Sequence, residues 1–144
     1  KSDSPAQLAE SYIGSHLNSL SIRMGENSDS MQAGLDLFNK GQLNDAAQKF
    51  ENIIQHDSDN ADAKKFAGIV YLRLANYDKA LQYFQQLEKY SLFSNPAKFY
   101  QALTLMKRNA PGDKQEAQQL LQEFGKSNSG GKEKEIARQW LEKW

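Results

Sequence analysis

The strongest constraint in this sequence is a pattern that occurs twice between Gly34 and Leu87, at an offset of 34 residues. Gly34 recurs as Gly68, Leu37 as Tyr71, Leu43 as Tyr77, Ala46 as Ala80 and Phe50 as Phe84. Five positions of matching character at one offset define a structural repeat, and this period belongs to helix-turn-helix solenoids. Each unit of such an array has an apolar face that it cannot bury alone, so neighbouring units must stack.

The rest of the chain is compatible with that reading. Its 144 residues are enough for one domain with a continuous core. Three prolines and an abundance of Gln, Leu, Ala and Lys favour helix, which makes an all-α fold the expected class. The net charge of zero points to neither a nucleic-acid ligand nor an anionic membrane. The charge is unevenly spread, however: residues 1–60 carry four Lys/Arg against nine Asp/Glu, and residues 61–144 carry fourteen against nine. Such a dipolar chain can associate head to tail or offer its basic end to an acidic partner, although ordinary solvated helix faces whose counts happen to differ are the favoured reading.

Without cysteine there is no disulfide framework, thiolate metal site or thiol nucleophile. No run of 18 apolar residues and no basic-then-apolar leader is found. The chain begins at Lys1 rather than Met and so reads as a soluble piece of a longer protein, whose upstream part is where a membrane anchor would lie.

Along the chain, the spacing of Leu8, Tyr12, Ile13, Leu17, Leu20 and Met24 predicts a helix over Ala6 to Met24, weakened by Gly14, Asn18 and four serines. Gly25 to Ser30 reads as a loop with Asp29 or Ser30 as a cap. The first repeat has an A helix from about Ser30 to Asn39, a left-handed turn at Gly41 and a B helix from Asn44 to His56. After the turn Asp57-Ser58-Asp59-Asn60, the second repeat runs from Ala61 to Tyr90. There Ala75-Asn76 stands for Lys40-Gly41, and Asn76 is expected to take the positive φ.

A third pair follows over Asn95 to Lys107, with Pro96 in the first helical position, and Lys114 to Phe124. The longer turn from Arg108 to Asp113 explains why Ala117 and Leu121 fall 37 residues after Ala80 and Phe84. Gly125 to Gly131 reads as a flexible linker, and Lys132 to Trp144 as an end helix with Ile136, Trp140 and Trp144 on its inner stripe. The expected organisation is a connector over 1–28 and a repeat domain over 29–144, with repeats near 30–60, 61–94 and 95–126 and a capping helix over 132–144.

Gly34, Gly68, Ala46 and Ala80 serve as small residues where helix backbones approach, and Phe50 and Phe84 as the fillers between successive helices. On these residues the chain resembles the tetratricopeptide repeat family, over about 90 of its 144 residues. It departs from the family pattern at Ser30 and Lys64, where a large aromatic is common, and at Ser58 and Leu92, where proline is common. The exact repeat boundaries stay open at those points. The resemblance implies a right-handed α-α superhelix of about three helix pairs. The layout is also similar to bacterial proteins in which one membrane-spanning helix precedes a helical connector and a small C-terminal tetratricopeptide domain. That would place the chain as an extramembrane domain, periplasmic or cytoplasmic.

The family resemblance further implies a non-catalytic scaffold that binds a helical or extended protein segment along the concave face of its A helices. In this register the face holds Met31, Leu35, Phe38, Lys65, Ile69, Leu72, Arg73, Phe99, Leu103, Met106 and Lys107. The Lys/Arg and Asn clamp that some members use for a C-terminal carboxylate is missing, because Met31, Leu35 and Phe99 occupy its positions. An apolar face of this breadth requires an occupant. One candidate is a segment of a partner protein; the alternative is the N-terminal helix of this chain or of a second copy, in a structural or oligomerising role.

Enzymatic chemistry finds little to work with. His16 and His56 stand apart, no phosphate-binding or nucleophile-elbow motif is present, and no cofactor or metal is expected. Asp57, Asp59 and Asp62 lack the glycine and distal glutamate of a calcium loop and are explained by turn formation and capping. Trp140 and Trp144 read as end-cap packing rather than as an exposed anchor.

Overall fold

Helices can approach as closely as this period demands only where side chains are absent, and Gly34 and Gly68 show the consequence. A Cβ built on Gly34 would lie 2.7 Å from the Phe50 ring, and one on Gly68 2.5 Å from the Phe84 ring. Each glycine is therefore the floor on which the phenylalanine sixteen residues later rests, and both rings are fully buried. Ala102 and Leu121 hold the corresponding positions of the third pair and are equally buried. Where the glycine gains a carbon, the phenylalanine has become the smaller leucine.

The computed structural model describes residues 3–21, 29–92, 94–127 and 131–144, and these form eight α-helices without a strand. They are α1 Pro5–His16, α2 Asp29–Asn39, α3 Leu43–His56, α4 Ala61–Arg73, α5 Tyr77–Glu88, α6 Ala97–Arg108, α7 Asp113–Lys126 and α8 Lys132–Glu142. From α2 to α8 each helix packs on the next, the nearest-neighbour order of a tetratricopeptide-like solenoid. The one large contact outside that order joins α1 to α6. The central helices α4 and α6 bury most of their residues, eight of 13 in α4 and nine of 12 in α6. α3 and α5 bury one stripe each, Ala46, Ala47 and Phe50 in the former and Ala80, Phe84 and Leu87 in the latter.

The turns repeat with the helices. Gly41 takes φ 81° and donates its N–H to the Phe38 carbonyl, while Gln42 donates to Leu37. One period later Ala75 takes φ 62° and donates to Leu72, and Asn76 donates to Tyr71. This is the same helix-ending motif, with the left-handed residue just past the helix. The expectation of a positive φ at Asn76 is thus corrected to Ala75, because the 34-residue register aligns Gly41 with position 75. Asn76 (φ −93°) instead caps α5, its side-chain oxygen accepting from the Lys79 N–H. Asn60 caps α4 in the same way.

Other boundaries shift for local reasons. The N-terminal helix starts at a capping box of Ser4 and Gln7 with Pro5 in its first turn, and ends at His16 rather than continuing to Met24. Asn18 turns back to donate to the Gly14 carbonyl at 2.6 Å, a side-chain bond that competes with helix continuation. The expected segment Ile22 to Met24 and the loop from Gly25 to Ser28 lie outside the described residues, and Asp29 and Ser30 form the first turn of α2. Pro96 sits one position ahead of α6, and the Asn95 side chain accepts from the Ala97 N–H. Gly125 and Lys126 extend α7, whereas the linker residues 128–130 lie outside the described part.

The long turn between α6 and α7 is built around an ion pair that periodicity does not reveal. Asn109 and Gly112 both adopt positive φ, and Arg108 grips the buried Asp113 through two hydrogen bonds of 2.8 Å. Asp113 also accepts from the Ala110 N–H, and Arg108 reaches Asp78 on the preceding repeat. The guanidinium holds the Asp113 carboxyl below its usual range against the opposing effect of burial.

Candidate peptide-binding groove

The residues expected on a concave face lie on α2, α4 and α6, and all the apolar ones among them are in the core. Leu35, Phe38, Ile69, Phe99 and Leu103 have no exposed surface, and Met31, Leu72 and Met106 retain 3 % or less. The three cations stand half-buried at its margin. Arg73 lies over the Phe38 ring at 5.1 Å, Lys65 over the Phe66 ring at 5.1 Å, and Lys107 pairs with Glu10 of α1.

The pairing of Lys107 with Glu10 is one of the contacts by which α1 packs on α6. Helix α1 buries Leu8, Ala9, Tyr12 and Ile13, and Leu17 follows at its end. Tyr12 inserts edge-on against Phe99 at 5.1 Å and against Trp140 of α8 at 5.9 Å, while Phe99 and Trp140 stack on each other at 5.3 Å. Tyr12 thus completes a three-ring cluster that joins α1, α6 and α8. Burial, with Tyr100 and Glu133 adding to it, pushes the Tyr12 hydroxyl well above the usual tyrosine range, and it donates to Glu133 at 3.4 Å.

Glu10 and Tyr12 are close together on α1, yet they reach Lys107 and Phe99, eight residues and about 12 Å apart along α6. Helix α1 therefore touches α6 at two well-separated places along its length. Beyond it the chain passes the end of α2, where the Leu20 N–H donates to the Asn39 side-chain oxygen at 2.8 Å and the Asn39 amide donates back to the Leu20 carbonyl at 3.0 Å. With α1 in place, Leu92 is the one large apolar side chain left exposed among the described residues.

The polar groups outside this face are used in holding repeats together. Glu51 on α3 accepts from Lys79 and Tyr83 on α5, each at 3.2 Å. Lys79 also lies 4.8 Å above the Tyr71 ring, which stacks on Tyr83. Burial pushes the Glu51 carboxyl up, but hydrogen bonds and the lysine charge outweigh it and hold the group below its usual range. These contacts staple the first repeat to the second. His16 stacks on Tyr12 of α1 and His56 approaches the Asn52 carbonyl of its own helix α3, so the two histidines have separate partners. Among the described residues no three His, Asp or Glu side chains converge as a metal site, and no helix is long and apolar enough to cross a membrane.

Comparison with known proteins adds one finding. Residues 37–92 match the tetratricopeptide repeat family model, from the last turn of α2 past the end of α5. No curated protein matches the chain.

Proposed function

We propose that this chain, whose residues 37–92 match the tetratricopeptide repeat family model, is a non-catalytic scaffold whose concave face takes up an amphipathic helix. Tetratricopeptide repeats mediate contacts between proteins, and the face at issue has the chemistry of a helix receptor rather than of a carboxylate clamp. The observation that carries the reading is α1 itself: a 12-residue helix lies on α6 with Leu8, Ala9, Tyr12, Ile13 and the following Leu17 turned inward. Those are relative positions 1, 2, 5, 6 and 10, the stripe that one face of an α-helix presents. The occupant in the isolated chain is its own N-terminal helix, and a partner segment of the same pattern would use the same contacts.

The test is a titration of helical peptides into the full chain carrying Tyr12→Ala and Ile13→Ala, which loosen α1. Peptides with apolar residues at those five relative positions should bind saturably, and scrambled peptides of equal composition should not. Equal binding of both sets, or of neither while α1 is detached, overturns the reading.

A further inference from the structure

The two kinds of glycine in this chain differ in a way that bears on how firmly α1 is held. Gly34 and Gly68 are required, because any side chain would run into Phe50 or Phe84. Gly14 is not: a Cβ there would meet nothing within 4 Å, and its backbone is ordinary helix on the exposed face of α1. A helical glycine with no steric purpose weakens the helix that contains it. It does so in the last turn, beside Ile13 and Leu17, where the Gly14 carbonyl accepts from the Asn18 side chain instead of from the helix.

The contacts that tie α1 down have the same character. Its ion pair is solvent-screened, with the Glu10 side chain 66 % exposed. Its cross-interface hydrogen bond, Tyr12 to Glu133, is at the long end of the range at 3.4 Å. The hold is therefore apolar and shape-based, a kind that another helix of the same stripe can reproduce. Yet α1 cannot simply leave, because Phe99, against which Tyr12 packs, would then face water.

We infer that α1 is an exchangeable autoinhibitory plug: it keeps the α6 part of the concave face closed in cis and yields it only in exchange for an amphipathic helix that binds better. This rests on the reading of the face as a helix receptor. An attached competitor acts at an effective concentration on the order of millimolar. An incoming helix must therefore bind more tightly than α1 does, and Gly14 lowers that threshold.

The probe is a fluorescent peptide of residues 3–21, titrated into the full chain. Wild type should bind it weakly at micromolar peptide. Tyr12→Ala in the chain should strengthen apparent binding at least tenfold, with Ile13→Ala as the second opened variant should Tyr12→Ala fold poorly. Adding Gly14→Ala to either opened variant should weaken binding about fivefold, the ratio that corresponds to the alanine-over-glycine helix preference. Opened and wild-type chains that bind the peptide equally, or no effect of Gly14→Ala, overturn the plug and leave the receptor reading intact. A chain whose α1 is detached and which still binds no peptide overturns the receptor reading. A wild-type chain that runs as a dimer with α1 exchanged between copies overturns closure in cis.

Discussion

Replacing Gly68 by alanine tests the packing logic of the repeats, because two opposed effects can be weighed at one site. Alanine is the better helix former by about 1 kcal/mol, so in open space the change would stabilise. At Gly68 the new methyl would stand 2.5 Å from Phe84 Cε1 and 2.8 Å from Cδ1 and Cζ, about 1 Å inside ordinary van der Waals contact. Phe84 has little room to retreat, since it is fully buried and stacked on Tyr100 at 5.1 Å. Overpacking of this kind costs about 3 kcal/mol at the upper end of its usual range. The net expectation is a loss of about 2 kcal/mol, seen as a fall in Tm of about 4–8 °C by calorimetry or circular dichroism.

Gly14→Ala is the matched control: the added methyl meets nothing, so Tm should rise, by about 1 kcal/mol in stability. Combining Gly68→Ala with Phe84→Leu should recover part of the loss, as Ala102 and Leu121 do naturally in the third pair. Gly68→Ala and Gly14→Ala shifting Tm in the same direction would refute the reasoning.

Arg108→Met should cost about 2 kcal/mol in chemical denaturation, because it leaves the Asp113 carboxylate buried without its cation, while Lys98→Met, at a more exposed ion pair, should cost less than 1 kcal/mol. On the acid side, the folded state holds the Asp113 carboxyl below its usual value, so this stabilisation is present above about pH 4 and is lost as pH falls through the folded-state value; Asp113→Asn should flatten that part of the acid-denaturation profile. On the alkaline side, Tyr12, Tyr83 and Tyr100 are all raised by burial first, so their contribution is complete below about pH 10 and declines as pH rises beyond it; Tyr12→Phe should reduce the decline measured by circular dichroism. Ala80→Phe should lower Tm by several degrees, since Ala80 is fully buried on the inner stripe of α5; an unchanged Tm would contradict its place in the repeat.

The 34-residue register made much of the fold legible, because period, small residues and fillers are all local to the repeat. Gly34, Gly68, Phe50 and Phe84 could be assigned to packing from spacing alone, and the three-residue insertion after Arg108 showed in the slip to Ala117 and Leu121. Ala75 was misjudged through a one-residue misalignment of the turn and because propensity favours asparagine over alanine at positive φ; the conserved turn hydrogen bonds hold Ala75 there regardless. The Arg108 to Asp113 clip left no periodic trace, although an arginine five residues before an aspartate across a Pro-Gly turn was a signal available to read. The concave residues could be assigned to one face by register, but not what covers them. The contact of α1 with α6 joins distant parts of the chain, and its determinant, Tyr12 wedged between Phe99 and Trp140, is a tertiary fact with no spacing rule behind it.

Hydrogen exchange of α6 in the full chain addresses that cover most directly, comparing wild type with Tyr12→Ala and then with Tyr12→Ala plus the peptide of residues 3–21. Amides of α6 around Phe99 and Leu103 should lose protection selectively when α1 is loosened, with α4 and α5 little changed, and should regain it when the peptide is added. Protection of α6 that is indifferent to both changes, or that falls equally across all helices, would contradict the closure of the concave face by an exchangeable helix.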